Sequence, residues 1–181
     1  MKNLFYILSA AIVFAGCAKN ENAETIVAVE DVENVAVEDA NAPAKLSAAV
    51  PEGWTEDLAQ AKELAKNMKK KILVAFSGSD WCGWCVRLDK EVYSTKEFFD
   101  LAVDKYVLVL IDCPRDPNRL SDFAKANNSK LPDEFNVSGF PCGVILDSDG
   151  VELGRIKGYV NGGPKAYFER METTRLGPIA E

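Results

Sequence analysis

Residues 72–85 read Ile72-Leu73-Val74-Ala75-Phe76-Ser77-Gly78-Ser79-Asp80-Trp81-Cys82-Gly83-Trp84-Cys85. The first five form a continuous apolar run, which is typical of a strand buried on both faces of a sheet. Small and polar residues break the run at 77–80, and the apolar residues Val86, Leu88 and Val92 then mark a helix. The stretch therefore predicts a strand, a short loop and a helix that begins with two cysteines.

The position of these two cysteines favours redox chemistry. A sulfur at a helix N-terminus faces unpaired backbone N–H groups and the positive end of the helix dipole, and both stabilise a thiolate. Because two residues separate them, Cys82 and Cys85 lie about one turn apart and can close a small disulfide. We expect Cys82 to be the exposed, nucleophilic thiol and Cys85 to be the shielded thiol that resolves a mixed disulfide.

The flanking sequence extends this unit into an α/β domain. Apolar spacing predicts a helix over 56–68, and Ser94-Thr95-Lys96-Glu97 resembles a capping box that opens a helix through Ala102. Strands are predicted at 72–76, 106–111, 142–146 and 151–156, the last two joined by the turn 147–150. Two prolines make 112–118 a loop, and helices are predicted at 119–126 and 165–175. This order indicates an α/β sandwich in which helices flank a mixed central β-sheet.

The segment 79–85, together with Phe140-Pro141, resembles the thioredoxin superfamily, in particular its bacterial members with a WCxWC-type motif. The resemblance covers roughly residues 52–175 and implies a thioredoxin-like sandwich. It implies that Cys82 attacks and Cys85 resolves, and that Pro141 is a cis-proline beside the attacking sulfur. It also implies that the backbone of Phe140 pairs with an extended substrate peptide.

The aromatic residues around the pair predict where substrate proteins bind. We expect a substrate-binding surface made of Trp81, Gly83, Trp84, Phe140 and Pro141, although packing in the core would also explain the aromatic residues. No cofactor is expected, because the dithiol itself carries two electrons. An upstream redox partner is expected, because the pair must be reset after each turnover.

Three features depart from the family pattern. The family often has a buried acid on the strand before the motif, which exchanges a proton with the resolving thiol. Here Ala75 and Phe76 occupy the candidate positions, so water or another carboxylate such as Asp112 or Asp116 must exchange that proton. Trp84 stands where reducing members often have proline. Cys142 directly follows Pro141, so a third thiol could lie near the pair.

Cys113 and Cys142 each have several interpretations. They could pair as a structural disulfide, remain buried free thiols, or have a redox or regulatory role. A zinc site built from Cys82, Cys85, Cys113 and Cys142 is a further alternative, but the chain has no second CxxC and no His. We therefore predict no metal site. The missing His also argues against copper delivery and against a hydrolase of the Cys–His or Ser–His type.

The first fifty residues differ from the rest of the chain. Lys2 is followed by the apolar run 4–15, which is shorter than the roughly 20 residues that a membrane-spanning helix needs and is typical of an export signal. Residues 14–17 resemble the lipobox of bacterial lipoproteins, although Phe14 replaces the commoner Leu; the resemblance implies a signal peptide at 1–16 and a lipid on Cys17. Ala18 is not the Asp of an enterobacterial inner-membrane retention signal, which favours the outer membrane.

Residues 17–50 are predicted to be a flexible acidic tether, and residues 51–181 the thioredoxin-like domain. The segment 21–50 has no aromatic residue and carries much of the chain's net charge of −7. The near-neutral domain argues against nucleic-acid binding, which would call for clustered cations. The run Lys69-Lys70-Lys71 is interpreted as a solvated helix end. These features predict a lipid-anchored thiol–disulfide oxidoreductase with its domain in the periplasm, acting on exported proteins as a reductase or isomerase rather than an oxidase. A thioredoxin-fold binding module for an envelope protein, with secondary thiols, is the alternative.

Overall fold

A computed structural model of the chain describes residues 46–174. The predicted signal peptide 1–16, Cys17 and most of the predicted tether lie outside the described residues, as does the predicted helix end at 175. None of the helices between residues 46 and 174 is both long and apolar enough to cross a lipid bilayer.

The central sheet is mixed, as predicted. Its strands are β1 (Lys71–Ser77), β2 (Tyr106–Asp112), β3 (Cys142–Leu146) and β4 (Glu152–Lys157), in the order β2-β1-β3-β4. β1 pairs in parallel with β2 and antiparallel with β3, and β3 pairs antiparallel with β4. Strands β1 and β3 are almost entirely buried because helices cover both faces, which explains their continuous apolar sequences.

The helices differ from the predicted ones mainly at their ends. They are α1 (Leu58–Met68), α2 (Gly83–Leu88), α3 (Lys96–Ala102), α4 (Asp122–Asn127), α5 (Leu131–Glu134) and α6 (Gly163–Thr173), with a π-helical turn at Asp89–Tyr93 and a 3-10 turn at Pro117–Arg119. The predicted helix 119–126 begins three residues too early, because Ser121 is the N-cap that accepts the N–H of Ala124 and α4 begins at Asp122. The predicted capping box is also shifted, since Thr95 rather than Ser94 caps α3 by accepting the N–H of Phe98.

The core has two layers, one on each face of the sheet. On one face, Leu73 and Ala75 of β1 pack in a cluster with residues from α3, α6 and the segment that runs from α2 through the π-helical turn. On the other face, Val74 and Phe76 pack against α1. Successive side chains along β1 therefore point to opposite faces of the sheet. Odd-numbered residues such as Leu73 pack against α3 and α6, and even-numbered residues such as Val74 pack against α1.

Residues 46–50, which the sequence analysis places in the tether, are bonded to the domain. The N–H of Ser47 donates to the buried Glu56 carboxylate at 3.1 Å, and its hydroxyl accepts the N–H of Ser121 at 2.9 Å. The N–H of Ala48 donates to the carbonyl of Arg119 at 3.0 Å. Ser47 and Ala48 are therefore attached to the domain by hydrogen bonds.

Candidate active site

The loop after β1 positions both cysteines. The N–H groups of Trp81 and Cys82 donate to the carbonyl of Gly78, at 3.3 and 2.9 Å, and Cys82 adopts the extended backbone of a helix N-cap. Its sulfur accepts the N–H of Cys85 at 3.2 Å. Cys82 thus occupies the capping position in which Ser or Asp commonly satisfies the free N–H groups of a helix.

The two cysteines form a disulfide with a Cα–Cα distance of 5.2 Å. The sequence predicted an exposed Cys82, but in the disulfide form both cysteines are buried. Cys82 is 8% exposed and Cys85 2%, so Cys82 is only the more accessible of the two. This difference is consistent with a centre in which one sulfur attacks the substrate and the other resolves the mixed disulfide.

The peptide bond between Phe140 and Pro141 is cis, as the resemblance implied. The carbonyl of Pro141 accepts the N–H of Gly158 at 2.9 Å, which holds this turn against the end of β4. Among the hydrogen bonds of residues 46–174, none involves the backbone of Phe140. Its N–H and carbonyl are therefore available to an incoming extended peptide.

Trp81 forms one wall beside the disulfide. It is 39% exposed, and its ring lies edge-on to Phe140 with centroids 5.4 Å apart. The indole N–H donates to the carbonyl of Cys113 at 2.8 Å, and the guanidinium of Arg115 lies 5.7 Å from the ring. A Cβ atom on Gly78 would overlap the indole, so glycine is needed beneath it.

Trp84 forms a second wall and is 56% exposed. Its ring packs on Tyr159, and the Arg87 guanidinium lies over both rings. Glu91 accepts from Arg87 at 2.8 Å and from the Tyr159 hydroxyl. The two tryptophans thus belong to a surface rather than to the core, and Gly83 between them has open space around it.

Tyr159 is a part of this site that was not predicted from the sequence. It lies beyond β4 and reaches Trp84 only because the β3–β4 hairpin returns the chain to the active-site end of the sheet. No local motif marks it.

The two carboxylates considered as proton carriers are engaged elsewhere. Asp112 is buried at the end of β2 and accepts both the N–H and the hydroxyl of Ser79, at 2.9 and 2.6 Å. Asp116 accepts the N–H of Asn118 at 3.0 Å and caps the 3-10 turn. Both therefore stabilise loops, and neither is hydrogen-bonded to a cysteine.

Asp89 is a carboxylate that the sequence analysis missed. It is half-buried, and burial raises its pKa, with a further increase from the negative charge of Asp112. Asp89 lies four residues after Cys85 on the same helical segment, so the spacing alone would have identified it.

Cys113 and Cys142 do not pair with each other, since they follow β2 and begin β3, and these strands flank β1 on opposite sides. Burial raises the pKa of the Cys113 thiol to about 11, with a further increase from Asp112, and burial also raises the pKa of Cys142. Both pack in the layer that α1 covers, whereas the helical segment after Cys85 packs on the other face. Within residues 46–174, no three Cys, Asp or Glu side chains converge as a metal site would require.

Comparisons with known proteins agree with this geometry. The profile of a thioredoxin-like domain family matches residues 58–172. The chain is 32% identical over 118 residues to the "Disulfide bond reductase DsbH" of Chlamydia pneumoniae, covering 65% of this chain and 70% of that protein. It is 30% identical over 108 residues to the "Thioredoxin-related protein DsbJ" of the same organism, covering 60% of this chain but only 31% of that longer protein.

Solved structures show the same similarity. The structure of a DsbH oxidoreductase matches with a TM-score of 0.60 and 28% identity, over 73% of this chain and 91% of that one. A thioredoxin from Thermus thermophilus matches with a TM-score of 0.50 at 17% identity, covering 66% of this chain and 85% of that one, and shows the shared fold alone.

Proposed function

Because the chain belongs to the thioredoxin-like domain family, we propose that Cys82 and Cys85 are its reactive pair and that it reduces or isomerises the disulfides of exported proteins. The protein is a thiol–disulfide oxidoreductase, as its similarity to a disulfide bond reductase and the Cys82–Cys85 disulfide show. The residue assignment rests on the position of this disulfide. It lies at the start of α2, directly after β1, in a fold that matches the structure of a DsbH oxidoreductase.

The reaction exchanges one disulfide for another. The Cys82 thiolate attacks a substrate disulfide, a Cys82–substrate bond forms, and the first substrate sulfur leaves as a thiolate that takes a proton from water. Cys85 then attacks the Cys82 sulfur and releases the second substrate sulfur. The pair ends oxidised and the substrate has gained two electrons, so an upstream dithiol donor must reduce the pair again. The name of the relative DsbH supports the reducing direction.

The aromatic walls support the assignment of the substrate-binding surface. Trp81 and Trp84 are exposed on either side of Gly83. Phe140 completes the surface, and its backbone has no hydrogen bond to any other residue between 46 and 174. Aromatic side chains contribute large contact areas at low entropic cost, which suits the binding of unrelated protein substrates. Pro141 presents the Phe140 backbone to the bound peptide.

A trapping experiment tests this function. A Cys85→Ser variant keeps the attacking thiol but cannot resolve the mixed disulfide, so it should accumulate reductant-sensitive covalent complexes with exported proteins. The matched Cys82→Ser variant should form none. Complexes in both variants, or in neither, would contradict the proposal.

The binding-module alternative is favoured by the exposure of Trp84 and makes a different prediction. If the thiols are secondary, a Cys82→Ser/Cys85→Ser double variant should retain full function in cells. We expect that variant to behave as a null allele.

The proposed location is the periplasmic side of the outer membrane. It is supported by the signal-like residues 1–16, by the lipobox-like sequence ending in Cys17, and by an acidic segment long enough to act as a tether. Metabolic labelling with palmitate should mark the wild type and leave Cys17→Ala unlabelled. Label that persists in the variant would contradict the anchor.

A further inference from the structure

The resolving thiol needs a group that accepts its proton. Cys85 is almost fully buried, and a thiol must lose its proton before or while it attacks a disulfide. Ala75 lies in the layer beneath the active-site helix and is fully buried, at one of the positions where an acid was expected. Asp112 lies on the neighbouring strand, but Ser79 engages both of its oxygens.

Asp89 lies one helical turn after Cys85. Its N–H donates to the carbonyl of Cys85 and its backbone is right-handed helical, so the helix continues unbroken from one residue to the other. Side chains at i and i+4 share a face, with Cβ atoms about 5–6 Å apart. Helical Cα–Cβ bonds tilt toward the N-terminus, so the Cβ atom of Asp89 leans toward the turn that holds Cys85.

The backbone changes its helical type at this point. The π-helical turn starts at Asp89, and the Ser94 N–H donates to the Asp89 carbonyl at 2.9 Å. The Ser94 hydroxyl donates to one carboxylate oxygen of Asp89 at 2.7 Å, while the other oxygen has no hydrogen-bond partner within residues 46–174. A half-buried carboxylate with one unengaged oxygen can exchange protons with both the thiol and water.

The groups around Asp89 raise its affinity for a proton, which is the property that a proton acceptor needs. Asp112 on β2 adds a second negative charge, which raises the pKa of Asp89. The buried Tyr93 of the π-helical turn lies close enough to Asp89 that the charge of Asp89 helps to raise the pKa of the tyrosine. On the packed α6, Tyr167 is neutral and bonded to Tyr93. At the surface of α3, Lys96 pairs with Asp100. On α6, Lys165 pairs with Glu97, and Arg170 is exposed to solvent.

We propose that Asp89 is the proton acceptor of Cys85, replacing a strand acid that this chain lacks. The inference rests on the proposed function and adds one step to it. In the mixed disulfide, the Cys85 thiol transfers its proton to the unengaged oxygen of Asp89 as its sulfur attacks Cys82. The Cys82–Cys85 bond forms, the Cys82–substrate bond breaks, and the released substrate thiolate takes a proton from Asp89 or from water. When the upstream dithiol reduces the pair, Cys85 leaves Cys82 as a thiolate and takes a proton from Asp89.

The test separates the two steps of the exchange. The full reduced chain is mixed with a small aromatic disulfide, quenched at intervals, and analysed by mass spectrometry for the Cys82 adduct and the Cys82–Cys85 disulfide. Asp89→Asn should form the adduct at the wild-type rate but resolve it about 100-fold more slowly at neutral pH, as expected for loss of a general base. Asp100→Asn, a surface acid of α3, is the matched control and should resolve normally.

The pH profile distinguishes a proton acceptor from a structural residue. In Asp89→Asn the resolution rate should rise steadily with pH and approach the wild-type rate only where Cys85 ionises by itself. Asp89→Glu should recover a large part of the wild-type rate. Resolution by Asp89→Asn at the wild-type rate and with the same profile would overturn the inference, as would equal slowing of both steps. Failure of the reduced wild type to form either the Cys82 adduct or the Cys82–Cys85 disulfide would instead overturn the proposed function, and the inference with it.

Discussion

The indole ring of Trp84 packs on the ring of Tyr159 with centroids 5.3 Å apart. This contact joins the helix that carries the disulfide to the segment that follows β4. Arg87 lies over both rings and Glu91 binds both Arg87 and Tyr159, so the exposed indole is held in place before any substrate arrives. A wall fixed in this way loses little conformational entropy on binding.

Removal of this wall should affect protein substrates selectively. Trp84→Ala should raise the KM for a disulfide-bonded protein substrate about tenfold, because large buried aromatic residues dominate binding at interfaces. The rate with a small-molecule disulfide should change little, because that substrate contacts mainly Cys82. Steady-state kinetics with both substrates measure the difference, and Val151→Ala, an exposed apolar residue of the β3–β4 hairpin, is the control. Equal loss with both substrates would contradict the role of the wall.

The two cysteines of the reduced pair should differ in reactivity. The Cys82 sulfur lies at the start of α2 beside the N–H of Cys85, so its alkylation should follow a pKa clearly below about 8.5, while Cys85 should react slowly. Iodoacetamide labelling across pH, with peptide mass spectrometry, measures both rates. Equal and slow alkylation of the two thiols would be inconsistent with the proposed mechanism.

Cys113 and Cys142 should be inert in the folded protein. A thiol with the pKa of about 11 that Cys113 has is ionised to only about one part in a thousand at pH 8. Both residues should therefore be alkylated far more slowly than Cys82 in native buffer, and at ordinary thiol rates in denaturant. Rapid labelling of either in the native state would support the redox role that the sequence left open.

The ionised Asp89 carboxylate should lower the free energy of unfolding at neutral pH. Its pKa is raised in the folded protein, so the folded state is favoured while the group is protonated and loses that advantage as the pH rises through the folded pKa. Asp89→Asn should therefore be more stable than the wild type near pH 7, and the difference should vanish below about pH 3.9, where the wild-type group is protonated in both states. Urea unfolding across this range gives the comparison; a variant less stable at pH 7 would contradict it.

Glu56 should be important for the attachment of the N-terminal segment to the domain. Its buried carboxylate accepts from Ser47 and Ser121, and its carbonyl accepts from the Asn128 side chain. Glu56→Ala should lower the free energy of unfolding by about 2 kcal/mol, because it leaves buried donors without partners. The exposed Glu52→Ala variant should change it little. Equal effects in urea unfolding would show that the carboxylate has no special role.

The sheet and the placement of the disulfide-bonded pair were predictable because they depend on short-range patterns. The apolar run 72–76, the break at 77–80 and the spacing of Cys82 and Cys85 are contiguous in the chain and correspond to β1, its loop and α2. The cis bond before Pro141 followed from a family resemblance and not from the residues themselves.

Features that depend on tertiary contacts were not predictable. Tyr159 contacts Trp84 only after the β3–β4 hairpin has formed. Residues 46–50 join the domain through the buried carboxylate of Glu56, a residue that was predicted only as the first residue of the helix 56–68. The short α5 was not predicted. Its Pro132 lies in the first turn of the helix, where the missing N–H of proline costs nothing.

The reduction potential of the Cys82/Cys85 pair tests the central claim most directly. The full chain is equilibrated in glutathione buffers and alkylated, and the oxidised fraction of the pair is measured by peptide mass spectrometry. We predict a reversible two-electron titration with a potential closer to about −270 mV, as in reducing relatives of this fold, than to the about −120 mV of a strong oxidant. A value near the oxidising limit would contradict the reductase assignment, and the absence of any reversible titration would contradict the assignment of these cysteines as the reactive pair.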